Sequence, residues 1–396
     1  MGWALSLFIE LVLMNTQTEE PLESLEPEPS RLHTIISTAE RMAGNVFILP
    51  AVLALLFLSV FPLLTSLYIS LAKFDIAPGG YKLTFVGLNN YKKLFIGSER
   101  DYFLGKFVPS TLLGTVILGI VVIALAVFLA RYFLTTKISI GGLIGRLLIT
   151  VGLGALTWMY VHTIGNDGRL GTVGVTLLYV FVGISLQYII GLSLAMLTVQ
   201  QLPGRRFFRV LFLLPMMITP VGIAYMFRML TDTSKGPFTP IWQGLGLINF
   251  SWVNNAWGAR TAILIADVWQ WTPFMFIVLV AALESQSVEP IEAATVDGAS
   301  SWQIFQNITW PAILPVSMTL ILIRLIEAFK IIDLPNVMTN GGPGTATQSL
   351  TYQAYIDWRA LNIGASAAVA YMLLFLVTFF AMIFVNMIRH RAVETL

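Results

Sequence analysis

Apolar residues in this chain come in long unbroken runs, not in the alternating or every-third pattern of a water-soluble fold. Such runs lie at 44–72, 108–132, 141–162, 171–199, 207–230, 261–283, 312–332 and 365–388. Each meets the length of about 20 mostly apolar residues that a helix needs to cross a bilayer. Lipid offers no hydrogen bonds to a backbone, so uninterrupted runs of this length are helices, not strands. The pattern predicts an all-α, polytopic transmembrane helical bundle with about eight spans.

The ends and linkers divide the chain. Residues 1–43 form an N-terminal tail, 44–106 the first span and a polar loop, 107–170 a helical pair, and 171–396 the remaining bundle. Residues 1–14 hold an apolar run that contains Glu10 and lacks a small-residue cleavage site, so they do not read as a signal peptide. A start at Met14 would leave a soluble tail before the first span. Glu19, Glu20, Glu23, Glu26 and Glu28, with Pro21, Pro27 and Pro29 among them, give that tail a disordered, acidic character. Short linkers carry Arg131, Lys137, Arg146, Arg205, Arg206 and Arg209, and Arg389 and Arg391 follow the last run. The positive-inside rule places these, and both termini, in the cytoplasm. The loop 73–106 also holds six basic residues and would lie outside; longer loops obey the rule less strictly.

Composition narrows the chemistry. Charged residues make up 11% and hydrophobic ones 57%, against roughly 25% charged in soluble domains, so most of the outer surface must face lipid. A net charge of +2 does not suggest a nucleic-acid partner. With no cysteine, disulfides, thiol nucleophiles and thiolate metal sites are excluded. His33, His162 and His390 are not spaced as metal ligands. Neither a metal nor another cofactor is expected in this chain. HExxH, GxSxG and paired-Asp motifs are missing too, which leaves an intramembrane enzyme without a nucleophile.

One polar linker, 286–311, is patterned for a partner. Pro290 suits a first helical turn and Gly298 a left-handed helix end. Ser300 with Gln303 forms a capping-box pattern that starts a second helix. Trp302, Phe305 and Ile308 then share a face, and Pro311 is expected to stop the segment. Two short helices with an aromatic stripe would make a knob for a groove on another protein. An amphipathic linker lying on the bilayer surface is the other reading.

The spacing Glu292, Ala293, Ala294, then Gly298, then Ile308, Trp310 and Pro311 resembles the EAA loop of importer-type ABC permeases, which usually have Leu at the position of Trp310. Asp297 lies within the same stretch. Further segments are similar to carbohydrate-uptake permeases related to the maltose and glycerol-3-phosphate transporters, on the side of their larger permease subunit. They are Phe85-Val86-Gly87-Leu88-Asn89-Asn90-Tyr91, Leu214-Pro215, Asp267 through Phe274, and Thr339-Asn340-Gly341-Gly342-Pro343-Gly344. The resemblance implies a six-span permease core in a bacterial or archaeal inner membrane. It also implies a second permease subunit, two ATPase subunits gripping the cytoplasmic loop, an extracytoplasmic solute-binding protein, and a sugar, oligosaccharide or polyol phosphate as solute. ATP hydrolysis would then occur in a separate subunit. The glycines at 341–344 are no phosphate loop, because Thr345 and Ala346 stand where Lys and Ser/Thr are required. In typical relatives the first outer loop leads directly to the run at 171–199, so 107–170 is an insertion. Its Gly141, Gly142, Gly145, Gly152 and Gly154 suit either close helix packing or a lipid-exposed hairpin, and a peripheral position is expected.

Ionisable groups inside spans are costly and therefore functional candidates. Asp267, Gln270, Trp271 and Phe274 combine polar and aromatic groups suited to a sugar, and Arg324, Glu327 and Lys330 follow at i,i+3 spacing. The latter three either face the solute or neutralise one another. The resemblance adds Met216, Thr219, Pro220, Ala328 and Ile331 to the expected path, with Tyr225 and Arg228 nearer its outer end. Trp242, Trp252 and Trp257 read as interface anchors, and Pro215, Pro220 and Pro273 as kinks around a cavity. A competing reading is an ion-coupled secondary transporter that uses Asp267 or Glu327.

Overall fold

A computed structural model describes residues 48–394 apart from 79, 136–139, 165–168, 201–202, 247–251 and 253. The acidic tail, the choice between Met1 and Met14, and Lys137 lie outside the described residues. The architecture is helical: α1 Ile48–Ser70, α2 Leu112–Thr135, α3 Ile140–Thr163, α4 Thr172–Val199, α5 Arg205–Met217, α6 Pro220–Leu230, α7 Ala256–Glu284, α8 Glu289–Val296, α9 Ser301–Ala328, α10 Leu350–Arg359 and α11 Ile363–Glu394. Residues 48–64 form one compact unit and 65–396 another.

Eight spans were expected from the apolar runs. Among the described residues six single helices are long and apolar enough to cross a membrane, or seven if α5 and α6 are one broken span. The predicted run 207–230 is not continuous, because α5 and α6 meet at 97°. Pro215 and Pro220 flank the break: Ile218 and Thr219 are extended, and the Thr219 side chain caps α6 by accepting from the Gly222 amide. The remaining candidate, α3, has the length. On it the Arg146 guanidinium lies 3.9 Å from the Tyr132 ring centre on α2.

The core is built on α4 and α7, which run parallel. Small residues let the backbones approach, as expected when helices pack in lipid. A Cβ on Gly191 would come within 2.7 Å of Met275 Cβ, and one on Gly183 within 3.3 Å of the Asp267 carboxylate. Helix α9 runs antiparallel to both and completes the site, with Tyr188 bonded to Ser317 at 2.7 Å. Phe276, Leu279, Ile313, Leu320 and Val369 fill the space between these helices.

The inserted pair is closed at its base. Gly105–Lys106 pairs antiparallel with Arg169–Leu170, and the Val108 amide bonds the His162 carbonyl at 2.8 Å. Its two helices differ in position. Side chains of α2 are largely exposed, whereas Met159 on α3 belongs to the core and Gly152 lies against the Phe379 ring of α11. Of the other expected packing glycines, Gly154 touches Leu125 and Gly145 faces open space. Before α2, strands β1 Ala72–Ala77 and β2 Gly80–Phe85 form an antiparallel hairpin, pinned where Asn90 donates to the Ser70 and Ala72 carbonyls.

Candidate functional site

Two regions carry the predicted residues. The first is a polar knot in the middle of the bundle. Asp267 on α7 is 5% exposed and Arg324 on α9 is 2% exposed. The Arg324 Nη2 donates to both Asp267 oxygens at 2.9 and 3.0 Å, while its Nε donates to Gln187 Oε1 at 2.9 Å. Gln187 Nε2 donates to Asp267 Oδ2 at 2.8 Å. Each member thus satisfies the other two, which a buried ion pair requires if it is not to lose more by desolvation than it gains. The Trp271 ring covers the guanidinium at 4.6 Å, a cation–π contact that adds to the pair.

Beside this knot lies a cavity of about 130 Å³ lined by Pro220, Asp267, Gln270, Trp271, Arg324, Glu327, Ala328, Lys330, Ile331 and Asp333, among others. Eight of the eleven residues expected along the path therefore meet here. Three do not. Met216 is exposed beside the break between α5 and α6, Thr219 is engaged in capping, and Phe274 turns away into the main core. The trio Arg324, Glu327 and Lys330 is also divided. Glu327 pairs with Lys330 at 2.7 Å in an exposed i,i+3 bridge, but Arg324 serves Asp267. Gln187 was not expected here; its only signal is that it is a lone amide inside the apolar run of α4.

A second, mostly apolar cavity of about 860 Å³ is lined by residues of α4, α5 and α7, Pro215 and Pro273 among them. Trp242 and Trp252 stack edge-on near the far ends of α6 and α7, and Trp257 carries Arg260 over its ring. The glycine-rich turn after α9 also packs there: Arg260 Nε donates to the Ala346 carbonyl at 2.7 Å. Asn340, Gly341 and Gly344 have positive φ, and Gly341 has no room for a Cβ beside Gln348 and Tyr352.

The second region is the linker at the opposite end. Helix α8 opens with Pro290 in its first turn and with Glu289 and Glu292 complementing the helix dipole. Gly298 ends the turn at φ 80°, and Ser300 and Gln303 form the capping box, the Gln303 side chain accepting from the Ser300 amide at 2.7 Å. Trp302 is 63% exposed and stacks on Phe305 at 5.4 Å. Ala293, Asp297 and Glu292 are exposed, while Ala294 and Ile308 are half-buried. Pro311 does not stop the second helix: α9 runs through it from Ser301 to Ala328. The physical reason is a π-helical turn at Phe305–Thr309. It widens the ladder where Pro311 lacks an N–H and its ring would strike the carbonyl four residues back. The same arrangement, a π turn at Leu56–Val60 before Pro62, occurs in α1.

A multi-span helical bundle with a broken helix, a charged knot at its centre and a structured polar linker at one end defines a membrane permease. The sequence profile of binding-protein-dependent transport system inner membrane components matches residues 187–393, and the chain belongs to that family. It is a permease component of an ABC importer, not an enzyme. It is similar to the trehalose/maltose transport system permease protein MalF of Thermococcus litoralis, with 34% identity over 55% of this chain and 74% of the relative. It is also similar to the sn-glycerol-3-phosphate transport system permease protein UgpA of Yersinia pestis bv. Antiqua, with 29% identity over 55% of this chain and 74% of that one. In fold it resembles a chain of a bacterial ABC transporter involved in import of the acidic polysaccharide alginate. That match has a TM-score of 0.52 at 18% identity and covers 76% of this chain and 98% of the other.

Proposed function

We propose that the chain is one of two permease subunits through which an ABC importer passes a sugar or oligosaccharide across the cytoplasmic membrane. The observation that carries this reading is the linker 286–311. Its cap, turn and aromatic pair are built, yet Trp302, stacked on Phe305, is left 63% exposed among the described residues. Glu292, Ala293, Ala294, Asp297, Gly298, Trp302, Phe305, Ile308 and Pro311 then form the element that docks on an ATPase subunit in the cytoplasm. Because α9 is continuous with the second linker helix, closure of two ATPases would be transmitted directly along it. The ligand shifts the two-state equilibrium of the bundle only by its differential contacts in the two states.

The relatives named above act on trehalose/maltose and on sn-glycerol-3-phosphate, which supports a carbohydrate-like solute here. Pro220, Asp267, Gln270, Trp271, Arg324, Glu327, Ala328 and Ile331 are assigned to its path, with Met216 and Thr219 at the neighbouring break. An extracytoplasmic binding protein delivers the solute at the end bearing the β1–β2 hairpin. The inserted pair 107–170 serves as a side module anchored by α3. Secondary transport through Asp267 or Glu327 has less support, because each carboxylate is held by a cation.

The test is uptake into proteoliposomes holding this chain, its second permease, the ATPase and the binding protein. Uptake should require ATP and be lost in Glu292→Lys. Full uptake by the chain alone, without ATP, would overturn the assignment.

A further inference from the structure

Among the described residues two arginines are almost wholly buried, Arg324 at 2% exposed and Arg260 at 5%, and they are held alike. Each has an indole over its guanidinium plane, Trp271 at 4.6 Å from Arg324 and Trp257 at 4.9 Å from Arg260. Each gives its Nε to a neutral oxygen, Gln187 Oε1 at 2.9 Å and the Ala346 carbonyl at 2.7 Å. The difference lies at the other edge of the guanidinium. Arg324 Nη2 ends on the Asp267 carboxylate. Arg260 pairs with no Asp or Glu among the described residues, and its Nε bond is the one hydrogen bond its side chain makes there.

A buried cation without a counter-charge is strongly destabilising. The open Nη1/Nη2 edge is a planar fork that fits a carboxylate bidentately. Its place in the helix favours an anion as well. Arg260 lies in the second turn of α7, helical side chains lean toward the N-terminus, and the helix dipole is positive there. The backbone at that end is already spent, because Asn255 Oδ1 accepts from the Trp257 and Gly258 amides at 2.9 and 3.0 Å. An anion here would therefore be held by the Arg260 side chain. The same guanidinium holds the glycine-rich turn through Ala346, so filling its free edge would also brace that turn on α7.

We infer that Arg260 is one half of a carboxylate-binding site at this end of α7, the carboxylate coming from outside the chain as a free anion or as an acidic side chain of another protein. It repeats the arrangement of the Asp267–Arg324 pair with the carboxylate left out. The site does not depend on the importer reading.

The test is thermal melting of the full chain in detergent, in sodium acetate against sodium chloride at equal pH and ionic strength. Acetate should raise the wild-type melting temperature by about 2 °C or more. Arg260→Met should lose that shift. Arg260→Lys, which keeps the charge without the fork, should stay folded and show a smaller one. The same comparison in the assembled importer with its binding protein separates the sources. A shift that persists assigns a free anion, and one that disappears on assembly assigns an acidic side chain of a partner. Equal melting of the wild-type chain in the two salts overturns the inference, as does an undiminished acetate shift in both Arg260 variants. Asp167, in the connection between α3 and α4, lies outside the described residues. A shift seen only in Asp167→Asn would give the carboxylate to the chain itself and overturn the inference too.

Discussion

The knot at Asp267 and the linker at Glu292 are both polar regions of an apolar protein, and they are built in opposite ways. In the knot three side chains from three helices satisfy one another and are 5% exposed or less. In the linker the hydrogen bonds are local, within a few residues, and the large side chains project outward. A network closed on itself fixes how helices pack. A self-supporting scaffold with an uncovered aromatic face is ready to receive something else. On the proposed function, the first shapes the path and the second receives the force.

The largest expected effect breaks the knot. Arg324→Met leaves Asp267 buried without its counter-charge and should cost about 3–5 kcal/mol, read as loss of folded protein in a thermal or denaturant assay of the detergent-solubilised complex. The double variant Asp267→Asn/Arg324→Met should recover most of that loss, since removing both charges removes the penalty. If the double variant is as damaged as the single one, the knot is not a self-contained pair.

On the linker the expectation reverses: stability survives and coupling fails. Gly298→Pro puts a residue restricted to negative φ where φ is 80°, misdirecting the second helix. ATP-driven uptake should fall by at least about tenfold, or about 1.4 kcal/mol, while the chain still purifies folded. Equal loss of folded protein would make the linker structural and collapse the comparison.

A third expectation concerns pH. Asp357 on α10 is partly buried, Glu99 lies near it, and its Oδ2 has no hydrogen-bond partner among the described residues. Desolvation first, then the like charge of Glu99, raise its pKa to about 7. The native state therefore holds this proton more tightly than the unfolded chain, so the stability this group contributes is fully present below the ordinary carboxylate range. It is lost as pH rises toward 7 and does not change beyond that. Asp357→Asn should flatten the dependence of melting temperature on pH in that window, and an unchanged slope would remove Asp357 as its source.

The smallest effect is expected at the exposed Glu327–Lys330 bridge. Its side chains are 45% and 61% exposed, and such pairs contribute about 0–1 kcal/mol. Lys330→Gln should leave stability nearly unchanged, as measured by the same melting assay.

Much of this was legible in the sequence because lipid enforces simple rules. Long apolar runs give helices, and Pro290, Gly298, Ser300 and Gln303 act through local chemistry that a sequence displays. What was not legible depends on partners distant in the chain. Pro311 alone reads as a stop, and only the π turn before it keeps the helix going. Arg324 has Glu327 as its sequence neighbour, yet it bonds Asp267 and Gln187, 57 and 137 residues away. The break between α5 and α6 was visible as Pro215 and Pro220, but its angle follows from the extended residues between them and from the cap by Thr219.

The central claim is that the linker is the site of force transfer from an ATPase. With no native cysteine in this chain, Ala299→Cys gives it a single crosslinking position next to Gly298. In the assembled importer a short bifunctional reagent should join it to the ATPase subunit, with a yield that changes when ATP binds. Absence of that crosslink, with efficient crosslinking to the ATPase from a cysteine placed instead at Tyr81 in the β1–β2 hairpin, would contradict the account.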